Sequence, residues 1–99
     1  MLALDIIRWG EEKNDLLRRT RGISLEQIAE QILAGEYLDV VRSPTRAAQE
    51  VFVLRVAGYT WAVPFVSDGH TIFLKTAFPS RKLHRHYGGL DAKDQTRPH

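Results

Sequence analysis

From Val51 to Phe78 the chain is almost entirely β-forming, and this stretch constrains the fold more than any other. Val51 to Ala57, Tyr59 to Val66 and Thr71 to Phe78 are dense in β-branched and aromatic residues, which suit a pleated, half-buried surface. Gly58 separates the first two runs and Ser67-Asp68-Gly69-His70 the last two. Connections this short join antiparallel neighbours, so the runs predict a meander of hairpins. Pro64 is discordant, because it has no N–H to give to a ladder; it predicts an edge position or a bulge.

The half before the meander is helical in pattern. Leu4 to Trp9 suits a short strand, and Gly10 breaks it ahead of the helix-forming run Glu11 to Arg19. Early acids and late arginines complement that helix's dipole, and Gly22 can take the left-handed conformation that stops it. Ser24-Leu25-Glu26-Gln27 has the form of a capping box. Leu25, Ile28, Ala29, Ile32 and Leu33 then recur at helical spacing until Gly35. Tyr37 to Val41 reads as a strand, Ser43-Pro44-Thr45 as a loop, and Ser80 can cap a short helix from Arg81 to Tyr87. The expected fold is α+β: two N-terminal helices, an antiparallel sheet of three to four main strands, and a short C-terminal helix.

With 99 residues, 43% of them hydrophobic, one core is the expectation: a single domain over 1–90 and a polar tail over 91–99. There is no cysteine, which excludes disulfides, thiol nucleophiles and Cys-based metal sites and fits a reducing cytoplasm. Neither an apolar run of the roughly 20 residues that span a bilayer nor a leader-like segment in Met1 to Ile7 is evident. A cytoplasmic protein without membrane contact is therefore expected.

The net charge of +2 says little about partners, but its distribution says more. Acids gather early, at Asp5, Glu11, Glu12, Asp15, Glu26, Glu30, Glu36 and Asp39. Between Thr71 and Leu90 the formal charges are all cationic: Lys75, Arg81, Lys82 and Arg85, with His84 and His86 beside them. That segment is the candidate anion-facing surface; a solvated basic helix end is the plain alternative. The histidines at 70, 84, 86 and 99 lack carboxylates at ligand spacing, so no metal is expected. Phe52, Tyr59, Trp61, Phe65, Phe73 and Phe78 lie on the strand runs and are read as core.

Three landmarks resemble a known family. Trp9-Gly10-Glu11-Glu12-Lys13-Asn14, then Arg21-Gly22-Ile23-Ser24-Leu25-Glu26, then Phe73-Leu74-Lys75-Thr76 leading into Pro79-Ser80-Arg81-Lys82 are similar, in order and spacing, to BrnT-type toxins of the RelE/ParE-like superfamily. The likeness runs from about Ile6 to Tyr87. It implies a RelE-like fold and the toxin of a type II toxin–antitoxin system: a metal-independent endoribonuclease that cleaves mRNA, free or on the ribosome, and inhibits translation. It also implies a cognate antitoxin and no small-molecule cofactor. The alternative is a non-catalytic binding module of the same fold, directed at gyrase or kept for antitoxin or operator binding. An Arg that often opens the second sheet strand in that family falls near Val51 and is missing.

Metal-independent RNA cleavage needs a base for the 2′-hydroxyl, cations for the crowded phosphate and an acid for the leaving oxygen. Arg81 is the first candidate, since its planar fork holds a phosphate by two parallel hydrogen bonds and a helix start adds amides. Lys75, on the preceding strand, is expected to face the same region, and His84 is a candidate acid or base. Tyr87, where the relatives also carry an aromatic hydroxyl, is the fourth catalytic candidate. Lys13, Arg18, Arg19, Lys82, Arg85 and His86 are the expected RNA-binding residues. The plain alternative for each is a surface ion pair or an exposed helix end. His84 and His86, two apart on a helix, point in different directions, so at most one serves a shared site.

Overall fold

In a computed structural model of the chain, residues 6–43 and 45–88 are described; the expected polar tail lies outside them. Strand β1 (Ile6–Trp9) leads through Gly10 into α1 (Glu11–Arg21), and α2 (Leu25–Leu33) follows. Gly22 ends α1 in the left-handed conformation, at φ 70°, and its N–H donates to the Arg18 carbonyl. The capping box forms as expected: Ser24 accepts from the Gln27 N–H, and the Gln27 side chain accepts from the Ser24 N–H. The remaining elements are β2 (Asp39–Arg42), β3 (Glu50–Val56), β4 (Tyr59–Asp68), β5 (Thr71–Leu74), β6 (Phe78–Pro79) and α3 (Arg81–Tyr87).

The α+β class holds, but the sheet is larger and less regular than the expected three to four antiparallel strands. Among the described residues it has six strands, in the order β1-β5-β4-β3-β2, with β6 also paired to β4. The meander from β2 to β5 is antiparallel. β1, by contrast, runs parallel to β5, with Ile6 opposite Thr71 and Trp9 opposite Leu74. Parallel strands need a long crossover, and here the crossover is most of the protein.

Alternation along the strands divides the sheet into two faces. Phe52, Leu54 and Val56 of β3 share one face with Phe65, Val63 and Trp61 of β4 and with Ile72 and Leu74 of β5. Leu17, Ile23, Leu25, Ile28 and Ile32 of the helical layer pack on this face to make the core. The second face carries Val51, Val53 and Arg55 opposite Pro64, Ala62 and Thr60.

α3 covers one end of the second face. The Arg55 guanidinium donates to the Tyr87 carbonyl at 3.1 Å, and the Tyr87 hydroxyl donates to Asp39 at 2.7 Å. The other end of that face, around Val51 and Pro64, is left to a cleft described below.

The third β-run does not continue unbroken from Thr71 to Phe78. Phe65 pairs with Leu74, and Ala62 with Phe78. Two residues of β4 thus face three on the partner, Lys75, Thr76 and Ala77, which is a bulge. Pro64 explains its position. Its carbonyl accepts from the Lys75 N–H at 2.8 Å, so its ring nitrogen points to the same side and has no hydrogen to offer there. Pro64 therefore sits in a central strand, not at an edge, and the bulge accommodates it.

Candidate functional site

Three parts of the chain meet around the open end of the second face. The loop between β2 and β3 contributes Ser43, Thr45, Arg46 and Gln49; the bulge contributes Lys75 and Thr76; and α1 contributes Lys13. Together with Val51, Pro64 and Phe78 they enclose a cleft of about 510 Å³.

Each cation has an identifiable local cause. β1 and β5 run parallel and end side by side at Trp9 and Leu74, so the first turn of α1 starts next to the bulge and brings Lys13 towards Lys75. Lys75 opens the bulge, still tied to β4 through its N–H on the Pro64 carbonyl, and its ammonium rests 5.7 Å above the Phe73 ring centroid. Arg46 is held by a compact loop. The Ser43 hydroxyl accepts from the Thr45 and Arg46 amides, the Ser43 N–H donates to the Gln49 carbonyl, and the Gln49 N–H donates to the Arg46 carbonyl.

Among the described residues, Lys13, Arg46 and Lys75 are the charged groups of the lining, and no carboxylate or imidazole belongs to it. Three hydroxyls, from Ser43, Thr45 and Thr76, and the Gln49 amide add uncharged donors. Such a cleft suits a phosphate: a guanidinium fork, two ammonium groups and short hydroxyls all donate to anionic oxygen. Among the described residues, no group of three or more His, Asp or Glu is placed to hold a metal ion.

The expected site residues fall into separate groups. Lys75 and Lys13 come together in the cleft. Arg18 and Arg19 are exposed on α1 outside its lining, with Arg18 acting on Glu26. Arg81, Lys82, Arg85 and His86 are exposed on α3. At the start of that helix the Leu83 amide is already taken by the Ser80 hydroxyl.

His84 and Tyr87 are built into the fold. His84 Nδ1 lies 3.3 Å from the Thr60 N and 3.0 Å from its hydroxyl, and the imidazole stacks on Tyr59 with centroids 4.0 Å apart. Tyr87 spends its hydroxyl on Asp39 and its carbonyl on Arg55. Both residues join α3 to the sheet.

Sequence reasoning missed Arg46, Ser43, Thr45, Gln49 and Thr76. The loop signal at Ser43-Pro44-Thr45 is present, but nothing local says that this loop bends over the same strand end as Lys75. Nor are all six strand aromatics core. Phe52, Trp61 and Phe65 are buried, whereas Phe73 is 37% and Phe78 44% exposed.

Comparison of the chain with protein-family models, with curated proteins and with solved structures gives no match. No helix among the described residues is long and apolar enough to cross a membrane.

Proposed function

We propose that this chain is an RNA-directed domain of toxin type that holds the phosphate backbone in the cleft formed by Lys13, Arg46 and Lys75. The supporting observation is their convergence from three separate segments on a lining that, among the described residues, has no carboxylate. An anion is the natural occupant, because three cations brought together without a counter-charge repel one another until one binds. The sequence resemblance supplies RNA as the polyanion and a cognate antitoxin as the protein partner.

Cleavage of mRNA is the further part of this proposal, and it belongs in the same cleft. Arg46 and the two lysines would brace the crowded phosphate as charge builds on it. A second reading, binding without cleavage, draws on one observation: His84 commits Nδ1 to Thr60 and Tyr87 its hydroxyl to Asp39.

Fluorescence anisotropy with a single-stranded RNA, repeated across a salt series, tests the binding proposal. Lys75→Ala and Arg46→Ala should each weaken binding and lower the salt slope by about 0.7 for each phosphate no longer neutralised. Arg81→Ala should do less. Equal binding by all three variants and the parent protein would overturn the cleft as the site. Total RNA incubated with the protein, and radiolabelled methionine incorporation on induction, separate cleavage from binding alone. Intact RNA together with undiminished methionine incorporation would leave only the binding module.

A further inference from the structure

We infer that Phe78 and Phe73 form stacking platforms for unpaired bases beside the phosphate cleft, so that the ligand is a single strand and not a duplex. This rests on the RNA reading above and names its substrate class.

The bulge decides where the two rings point. Phe73 and Phe78 are five positions apart, an odd separation that in a regular strand places side chains on opposite faces. The extra residue between Leu74 and Phe78 restores the phase. Phe73 pairs with Val66 and Phe78 with Ala62, both on the second face of β4. The two rings therefore share the face that carries the cleft. Both are exposed, at 37% and 44%, although large aromatics on strands are normally covered.

Their surroundings favour a base over an aliphatic partner. Phe78 lines the cleft itself, next to Lys75 and Thr76. Phe73 lies under the Lys75 ammonium. Aromatic rings interleaved with cations on one surface are the arrangement that grips a single-stranded nucleic acid, with rings taking the bases and cations the backbone. A duplex keeps its bases stacked on each other and offers these rings nothing.

The test uses the purified protein and three probes of 2′-O-methyl RNA, which lacks the nucleophile for strand scission: a single strand, the same strand carrying abasic positions, and the corresponding duplex. Phe78→Leu keeps apolar bulk but removes the π-face, and thermal melting should show it folded like the parent. It should bind the single strand about 5- to 100-fold more weakly, whereas Phe78→Trp should bind as well as the parent protein. The abasic strand should lose affinity for the parent protein by a similar factor and lose nothing further with Phe78→Leu. Unchanged single-strand binding by Phe78→Leu, or equal affinity for duplex and single strand, overturns this inference. If binding in those cases still falls steeply with salt and depends on Arg46 and Lys75, the phosphate cleft survives without it. Absence of RNA binding by the parent protein overturns both.

Discussion

The Thr60 N–H donates to His84 Nδ1 across 3.3 Å, which makes an α3 side chain the hydrogen-bond partner of a strand amide. On its other side Thr60 faces Arg55 of β3, so the imidazole takes the place that a further strand's carbonyl would fill at this amide. His84→Ala should therefore destabilise the fold by about 1–3 kcal/mol, since a buried amide is left unpaired. His86→Ala, at an exposed position, should stay within about 0.5 kcal/mol of the parent. Urea denaturation measures both. A stable His84→Ala protein that has lost RNA cleavage would return His84 to the chemistry.

The Tyr87 phenol is pushed up to about 12 from its ordinary 10.0, first by burial of the phenolate, then by its hydrogen bond to Asp39 and that carboxylate's charge. The folded protein holds this proton more tightly than the unfolded chain. Its contribution to stability is complete below pH 10 and is lost as pH rises through about 12. The melting temperature should fall over that window more steeply in the parent protein than in Tyr87→Phe, which has no proton to lose. Parallel declines would remove Tyr87 as the cause.

Ala57 and Gly58 form the two-residue turn between β3 and β4, at φ 52° and 82°. Two left-handed residues match the twist of a hairpin, but the first carries a Cβ that this conformation disfavours. Ala57→Asn should stabilise the protein by about 0.5–1 kcal/mol, because asparagine adopts the left-handed region more readily. Differential scanning calorimetry tests this; a lower melting temperature would contradict it.

Asn14 is fully buried on α1. Its side-chain oxygen accepts from the Leu25 N–H at 2.7 Å, and its amide donates to Glu26 at 2.9 Å. The second bond is the main reason why the Glu26 carboxyl is held below its ordinary 4.5. Asn14→Leu should cost about 1–3 kcal/mol by orphaning the first amide of α2. The Glu26 titration, followed by carbon NMR, should move up. An unshifted Glu26 would show that the hydrogen bond is not formed in solution.

Local rules read the helices well. Gly22 and the Ser24-Gln27 box act at the chain positions where the pattern places them, because caps depend on a few adjacent residues. Pro64 also announced a bulge correctly, although not where in the sheet it would lie. The parallel pairing of Ile6 with Thr71 was not legible, since no short-range pattern encodes which distant strand will be a neighbour. The cleft inherits that difficulty. Lys13 and Lys75 were both candidates in the sequence, but they line one cleft only through the β1–β5 pairing, while Arg81, expected beside Lys75, lies outside its lining. Phe78 was read as core because aromatics are ordinary strand residues; the extra residue among Lys75 to Ala77, which turns its ring to the second face, leaves no local signal.

The same parallel pairing sets a schedule for synthesis. Ile6 leaves the ribosome 65 residues ahead of its partner Thr71, a delay of about 3–13 s at ordinary elongation rates. Throughout that interval the apolar sides of α1 and α2 have no finished sheet to rest on. Lys13 likewise waits without Lys75, so the cleft is not assembled until nearly all of the described length has been made.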